Sequence, residues 1–174
     1  MNLSETMQRR DCPVCREPAG TATEFMTASL DETRLTASSF SSRKLPEFMS
    51  YHLVRCATCA TVFASEAPAA GALANAYHAA DYNSSEEAAL AAAVYEAALA
   101  PFLAAWPNRG VALEIGAGTG VFLGHLRQMG FEQPVGIEPS PAAIAAAATD
   151  IKPCIREGIF PGEEFPGDTV SLVC

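Results

Sequence analysis

The stretch ALEIGAGTG at residues 112–120 decides the fold, because an apolar strand pattern runs directly into three glycines separated by single residues. Glycine lacks a Cβ and tolerates positive φ, so this loop lets the backbone approach a ligand closely. The segment VFLGHLRQM at 121–129 continues with apolar residues at helical spacing, and Gly130 then ends the helix. Residues 111–130 are therefore predicted to form a strand, a glycine loop and a helix.

The chain repeats this alternation beyond the first helix. PVGIE at 134–138 predicts a second strand, and SPAAIAAAA at 140–148 predicts a second helix with Ser140 as its N-cap. PCIRE at 153–157 and TVSLVC at 169–174 predict a third and a fourth strand. Strands that alternate with helices favour an α/β fold, a Rossmann-like doubly wound parallel sheet with its ligand at the carboxyl ends of the strands.

The spacing of the glycines distinguishes between two nucleotide cofactors. A dinucleotide fingerprint GxGxxG that starts at Gly116 would need glycine at position 121, where Val121 stands. The pattern that fits is E/D-x-GxGxG, formed by Glu114, Gly116, Gly118 and Gly120. It resembles motif I of the class I S-adenosylmethionine-dependent methyltransferases. The resemblance implies that S-adenosylmethionine is the cofactor, that the three glycines form the floor of its site, and that Glu114 acts near its methionine end.

Two later segments extend this resemblance. In the family an acid that ends the second strand binds the ribose hydroxyls, a role that falls here to Glu138, 18 residues after Gly120. A carboxylate suits this role because each of its oxygens can accept a hydrogen bond from one hydroxyl. The segment REG at 156–158 resembles the part of the family that borders adenine, which would place Glu157 or Gly158 beside the base. The alternatives are a glycine loop that only forms a tight turn, a solvated carboxylate at Glu138 and an ordinary turn at 156–158.

Two CxxC pairs lie near the amino terminus, CPVC with Cys12 and Cys15 and CATC with Cys56 and Cys59. Each pair can turn two thiolates toward one point, and two pairs complete the tetrahedral sulfur site that zinc accepts. Four protein ligands leave no position for water or substrate, so this spacing predicts a structural zinc ion. A redox-active CxxC and buried small hydrophobic residues are the alternatives.

Composition and charge narrow the cellular setting. The sequence has no run of eighteen apolar residues and no export signal, so we expect a cytoplasmic protein. In that reducing compartment six cysteines favour metal or thiol chemistry over disulfides, and Cys154 and Cys174 in apolar segments are predicted to be buried thiols. Residues 1–65 have equal numbers of basic and acidic side chains, whereas four basic and thirteen acidic side chains follow from residue 66 onward. This acidic part argues against duplex nucleic acid as a partner, and no membrane partner is expected.

Three parts of the chain follow from these patterns: a zinc-ribbon-like domain over 1–65, a helical linker over 66–107, and the N-terminal half of a Rossmann-like methyltransferase domain over 108–174. The linker should hold a short helix within 68–82 and a longer one that begins with a capping box of Ser84 and Glu87. Pro101 is expected to kink or interrupt the longer helix. An apolar stripe on that helix is predicted to pack against a sheet, and consists of Tyr95, Leu99, Phe102, Leu103 and Trp106.

The four-cysteine unit ahead of a methyltransferase domain is similar to the arrangement in sugar C-methyltransferases and related bacterial methyltransferases. The resemblance implies methyl transfer to a small-molecule acceptor, with acid/base residues in a later part of the chain. A full class I sheet has seven strands and only the first four are predicted here. We therefore expect a C-terminally truncated fragment whose sheet is completed by the missing half or by a partner chain. The alternative is a zinc-ribbon interaction or cofactor-sensing module without catalysis.

No side chain stands out in the sequence as a catalytic base. His78 and His125 are candidates by residue type alone, and a surface or packing role is the more common one for a residue such as His125. Tyr77 and Tyr82, just before the methyltransferase core, are predicted to pack, with closure over the cofactor as the alternative.

Overall fold

The computed structural model describes residues 4–35, 39, 49–81, 85–160, 165 and 169–174. The chain divides into two compact units, the first formed by Met1–Thr36 with Leu45–Asn75 and the second by Ala37–Lys44 with Ala76–Cys174. The domain boundaries that composition places after residues 65 and 107 stay predictions.

The first unit contains two small antiparallel sheets. Its strands are β1 (Met7–Arg9), β2 (Thr23–Met26), β3 (Leu53–Arg55), β4 (Val62–Ala64) and β5 (Glu66–Pro68). Strand β1 pairs with β5, and the other three form a sheet in the order β2-β3-β4. A small cluster of buried side chains holds the described part of this unit together, and its members are Cys12, Val54, Cys56 and Phe63. Half of that cluster consists of cysteines, so the four-cysteine site and the core of the unit are the same place.

Both linker helices predicted from the sequence are present as α1 (Ala70–His78) and α2 (Ser85–Leu103). The predicted cap at Ser84, like Tyr82, lies outside the described residues. The interruption expected at Pro101 is not seen, because α2 continues to Leu103. A proline this close to the end of a helix removes only one backbone hydrogen bond near the terminus, where the chain leaves the helix anyway.

The second unit is built on a four-stranded sheet in which every strand is parallel to its neighbours. The strands are β6 (Val111–Ile115), β7 (Gln133–Glu138), β8 (Ile155–Glu157) and β9 (Val170–Val173), in the order β8-β7-β6-β9. Helix α3 (Val121–Gln128) connects β6 to β7, and α4 (Pro141–Ala145) follows β7. The predicted Rossmann-like fold is confirmed, with its strands and helices in the expected order.

Two elements are shorter than the sequence predicts. Helix α4 ends at Ala145 rather than near residue 148, and β8 begins at Ile155 rather than at residue 153. A 3₁₀ turn at Lys152–Cys154 occupies the start of the predicted strand. Proline fits the first turn of a helix and cannot donate to a strand ladder, so the proline at position 153 favours this turn.

The core of the second unit lies between the sheet and the helices α2 and α3. Leu113 on β6, Leu123 and Leu126 on α3, and Phe131 after it are almost completely buried. The predicted stripe on α2 is only partly confirmed. Leu99, Leu103 and Trp106 pack against this core, whereas Tyr95 is half exposed and Phe102 is 67% exposed. Phe102 precedes the buried Leu103 by one residue. One residue corresponds to a rotation of about 100° around the helix axis, so Phe102 faces away from the sheet.

Close packing of the glycine loop and α3 on β7 fixes where the loop lies. A Cβ at Gly136, in the middle of β7, would lie 2.6 Å from the Cβ of Ala117 and 2.8 Å from Cδ1 of Leu123. Only glycine therefore allows the loop to approach this strand so closely. Within the ranges described above, no helix is long and apolar enough to cross a membrane.

Candidate functional site

The glycine loop after β6 has a left-handed backbone at each glycine, with φ of 81° at Gly116, 55° at Gly118 and 69° at Gly120. Two backbone N–H groups at its start, those of Gly116 and Ala117, donate to the carbonyl oxygen of Ile137 at 2.8 and 3.1 Å. A Cβ at Gly116 or Gly118 would meet no atom within 4 Å. These two glycines thus leave open space above the sheet.

Gly120 has a different environment from the other two glycines. A Cβ here would lie 2.6 Å from Cγ2 of Ile151 and 3.0 Å from Cδ1 of Ile155. Gly120 is also the N-cap residue of α3. The sequence resemblance assigns Gly120 to the floor of a ligand site, and the structure places it where the helix packs on the core.

A first cavity of about 520 Å³ opens where β6 and β7 end. Its polar lining comes from Gly116, Gly118, Glu138, Ser140 and Gly158. Its apolar lining includes Ile115, Ile137, Ile159 and Phe160. Another part of the lining comes from Tyr77 in α1 and from Ala80 and Asp81 just after that helix. The charged side chains of this lining are carboxylates, and none of its described residues is a lysine or an arginine.

Glu138 is buried at the edge of the first cavity, with 8% of its surface exposed. Its Oε2 accepts a hydrogen bond from the backbone N–H of Gly118 at 2.7 Å, and its Oε1 accepts one from Ser140 N–H at 2.8 Å. These two bonds hold the carboxylate in one orientation. Each carboxylate oxygen can accept a second bond, so both oxygens keep capacity for a donor in the cavity.

The segment after β8 borders the cavity through its glycine. Gly158 N–H donates to the backbone oxygen of Glu138 at 3.0 Å, and Gly158 lines the first cavity. Glu157 is not among the lining residues. Its Oε1 lies 3.8 Å from Nδ1 of His78, and both side chains are more than half exposed. Of the two residues that the sequence predicts beside a base, the structure therefore brings Gly158 to the cavity.

Glu114 belongs to strand β6, just before the glycine loop, and lines a second cavity of about 470 Å³. Tyr95, Leu99, Phe122 and Leu172 are among the side chains that line it. Oε2 of Glu114 is buried and has no hydrogen-bond partner among the described residues. Burial first, and then the nearby charge of Glu138, raise the pKa of Glu114 to about 8.

The two cavities adjoin each other at the end of β6. Ile115 and Gly116 line both of them. A ligand that extends over the glycine loop could therefore place one end beside Glu138 and the other beside Glu114.

In the first unit, the structure brings together the four cysteines predicted to bind zinc. The Sγ atoms of Cys12, Cys15, Cys56 and Cys59 all lie within 4.8 Å of one another. The Cys12–Cys59 and Cys15–Cys56 pairs are each 3.5 Å apart. Zinc–sulfur bonds of about 2.3 Å place the sulfurs of a tetrahedral site about 3.8 Å apart. The cluster has the size that a tetrahedral metal site requires.

The backbone repeats the same turn around both CxxC pairs. Cys12 N–H donates to Glu17 O at 2.9 Å and Arg16 N–H donates to Cys12 O at 2.9 Å. In the second pair, Cys56 N–H donates to Thr61 O at 2.9 Å and Ala60 N–H donates to Cys56 O at 3.1 Å.

Both turns also contain a strained residue at the same place, since Arg16 and Ala60 have φ of 65° and 60°. Positive φ is uncommon outside glycine. Two similar turns thus bring the four thiols together in a group that could hold a metal ion.

Other reactive side chains have partners away from the cavities. His125 Nδ1 forms a short contact with Glu96 Oε2, which joins α2 to α3. Cys154 is half-buried, and its Sγ accepts a hydrogen bond from Arg127 at 3.2 Å. The prediction of a buried thiol at Cys174 is wrong, because Cys174 follows an edge strand of the sheet and is exposed.

Comparison with known families identifies the second unit. A family model described as a methyltransferase domain matches residues 85–174, which is more than half of the chain. The chain belongs to this methyltransferase family. A search of curated proteins finds none that matches it. The match begins after the four-cysteine site, so the methyltransferase domain and the predicted zinc site occupy separate parts of the chain. Membership of the family implies S-adenosylmethionine as cofactor and a methyl acceptor as substrate, without specifying the acceptor.

Several residues that line the first cavity could not be identified from the local sequence. Asp81 and Phe160 line it although neither belongs to the glycine motif. Tyr77 also lines the cavity. The sequence predicts that Tyr77 packs, with closure over the cofactor as the alternative. Their positions depend on how distant segments meet, which no motif records.

Proposed function

We propose that the methyltransferase domain binds S-adenosylmethionine across the two adjoining cavities and presents its methyl group to a small-molecule acceptor. The observation that carries this proposal is the placement of Glu138, Gly116 and Gly118 in one cavity at the carboxyl ends of β6 and β7. Parallel sheets bind their ligands at this end.

The first cavity suits the nucleoside half of the cofactor. Both oxygens of Glu138 keep acceptor capacity that the two ribose hydroxyls can use. Ile137, Ile159 and Phe160 supply the apolar surface that a purine base requires. Gly158 has no side chain to obstruct the base.

The second cavity suits the amino-acid end of the cofactor. A buried carboxyl oxygen without a partner is costly, and a positively charged ammonium group would satisfy it. Glu114 has such an oxygen, on the cavity that shares Gly116 with the first. Among the described residues that line the two cavities, the charged side chains are carboxylates, and none is lysine or arginine. Such a lining favours a cofactor that carries positive charge over one that carries a pyrophosphate.

S-adenosylmethionine supplies a methyl group that is already activated, so the protein mainly has to hold and orient it. Gly116, Gly118, Glu138 and Glu114 perform that task in this proposal. No side chain of the described residues is assigned as a catalytic base. The sugar C-methyltransferases that the chain resembles act on nucleotide-linked deoxysugars and the related bacterial enzymes on unassigned substrates, so such a sugar is one acceptor to test.

For the first unit we propose a structural zinc ion bound by Cys12, Cys15, Cys56 and Cys59. The support is the compact cluster of four sulfurs in the two matching turns. With four thiolate ligands, zinc would have no open position for catalysis. We also propose a cytoplasmic location, where the reducing environment would keep these four thiols available to the metal.

The cofactor proposal is tested by titration calorimetry with S-adenosylmethionine and, separately, with NAD. We expect the zinc-loaded protein to bind S-adenosylmethionine and not NAD. Glu138→Ala should weaken that binding about 10- to 100-fold, because hydrogen bonds to a charged group are lost. Glu132→Ala is the matched control, since Glu132 is an exposed carboxylate that does not line the first cavity, and it should bind as the wild type does. Equal affinity in the wild type and Glu138→Ala would contradict the proposal.

The alternative function is cofactor sensing without methyl transfer. Supplying nucleotide-linked deoxysugars to the cofactor-loaded protein separates the two functions. Formation of S-adenosylhomocysteine with any of these acceptors would establish transfer and reject the sensing module.

A further inference from the structure

Ser140 connects three parts of the second unit through its backbone N–H and its hydroxyl. Its backbone N–H donates to Oε1 of Glu138 at 2.8 Å. Its hydroxyl donates to the backbone oxygen of Ala80 at 3.2 Å and accepts a hydrogen bond from Ala143 N–H at 3.3 Å. Ser140 is 7% exposed, so solvent does not compete strongly for these bonds. The contact with Ala80 reaches 60 residues back along the chain.

The partner of that hydroxyl belongs to residues 76–81, which we call the wall segment. Tyr77, Ala80 and Asp81 of the wall segment line the first cavity. Ala76 and Ala80 are each 5% exposed, so the segment is anchored by burial. A second hydrogen bond supports the tether, since Nδ1 of His78 lies 3.2 Å from the carbonyl oxygen of Pro139.

We propose that Ser140 is a positioning residue that fixes the wall segment relative to the Glu138 carboxylate. The two sides of the nucleoside half of the cofactor site are then set by one residue. Glu138 faces the ribose from one side, and Tyr77 and Asp81 border the same cavity from the other. This inference rests on the proposed binding of S-adenosylmethionine.

Substitution can separate the backbone hydrogen bond of Ser140 from the two hydrogen bonds of its hydroxyl, which Ala80 accepts and Ala143 donates. Glycine at this position keeps the backbone N–H that binds Glu138, and as an N-cap it costs a helix only a few tenths of a kcal/mol relative to serine. It removes the hydroxyl that binds Ala80. Threonine keeps a hydroxyl that can both donate and accept, and it also serves as an N-cap. Ser140→Gly therefore removes the tether, and Ser140→Thr is the conservative control.

The first test is the affinity for S-adenosylhomocysteine and for 5′-methylthioadenosine, which keeps the nucleoside and lacks the amino-acid end. We expect Ser140→Gly to weaken both ligands by the same factor, about three- to tenfold, as for loss of one hydrogen bond. Ser140→Thr should bind both as the wild type does. Glu114→Gln provides the opposite pattern, because it should weaken only S-adenosylhomocysteine.

A double-mutant cycle tests whether Ser140 acts through the wall segment. Tyr77→Ala removes the aromatic side chain of that segment, and Tyr77 is partly exposed, so the change creates no buried hole. If Ser140 positions the segment, Ser140→Gly should weaken binding less in the Tyr77→Ala background than in the wild type. Purely additive effects, or a Ser140→Gly protein with unchanged affinity, would overturn the inference. Failure of the wild type to bind either ligand would instead reject the proposed function.

Discussion

At the scale of single residues, the two acids of the site have opposite environments. Glu138 is buried, but both of its carboxylate oxygens accept a backbone hydrogen bond. Glu114 is buried with one oxygen unsatisfied, and its pKa is raised to about 8, first by burial and then by Glu138. The free protein should therefore hold a proton on Glu114 at neutral pH.

This difference predicts that cofactor binding releases a proton. Below pH 8 the free protein keeps Glu114 protonated, whereas an ammonium group beside it favours the ionised carboxylate. Titration calorimetry at pH 6.5 in buffers of different ionisation enthalpy should therefore report release of close to one proton with S-adenosylhomocysteine. Glu114→Gln should release none.

The proton-release measurement needs a control for titratable groups near Glu114. Cys174 also lies beside the second cavity, and although the residue is exposed overall, partial desolvation of its thiol and then the charge of Glu114 raise its pKa. 5′-Methylthioadenosine has no ammonium group, so its binding should release no proton in the wild type. Proton release of the same size with both ligands would mean that a group other than Glu114 titrates.

At the scale of elements, the site depends on how closely the glycine loop and α3 pack on β7. Gly136 has no room for a methyl group, since Ala117 and Leu123 lie within 2.8 Å of where its Cβ would be. A Cβ at Gly124, inside α3, would lie 3.6 Å from Cδ1 of Ile151, which is an ordinary contact distance. The two glycines therefore differ in what they contribute, although both belong to regular elements.

Substitution of these two glycines should change stability in opposite directions. Gly136→Ala should lower the unfolding free energy by about 1–3 kcal/mol, because the added methyl group overpacks the core. Gly124→Ala should leave stability unchanged or raise it by up to about 1 kcal/mol, because alanine favours a helix. Urea unfolding of the zinc-loaded protein measures both. A Gly136→Ala protein as stable as the wild type would show that the loop can move away from β7.

At the scale of the whole molecule, the two units are stabilised by different means. The second unit has an extended core under its sheet, with members on β6, α2 and α3. In the described part of the first unit, the buried cluster contains four side chains, two of them cysteines. Because two of the four thiols belong to this cluster, a bound metal would contribute directly to the folding free energy of the unit.

We therefore expect the first unit to unfold when zinc is removed. The purified protein should contain one zinc per chain by elemental analysis, and a chelator should abolish the thermal transition of the first unit. Cys56→Ser should lose the metal, whereas Cys154→Ser should retain it, because Cys154 lies outside the cluster. Full zinc content in Cys56→Ser would contradict the proposed site.

Local patterns in the sequence determined the order of strands and helices, the left-handed glycine loop, and the two cysteine pairs. Each depends on residues close together in the chain: the spacing of Gly116, Gly118 and Gly120, the cap at Ser140, and the two residues between paired cysteines. Such features are encoded in backbone preferences and in the reach of neighbouring side chains.

Only the tertiary structure decided which of these residues face a cavity. It directed Gly120 to the core and Glu157 to His78, and it brought Tyr77 and Asp81 to the lining. It also buried Glu114 beside Glu138, which raises the pKa of Glu114. Burial, charge proximity and the tether from Ser140 to Ala80 are set by packing between segments far apart in sequence. Local spacing carries no record of such contacts, because they depend on how whole elements pack together.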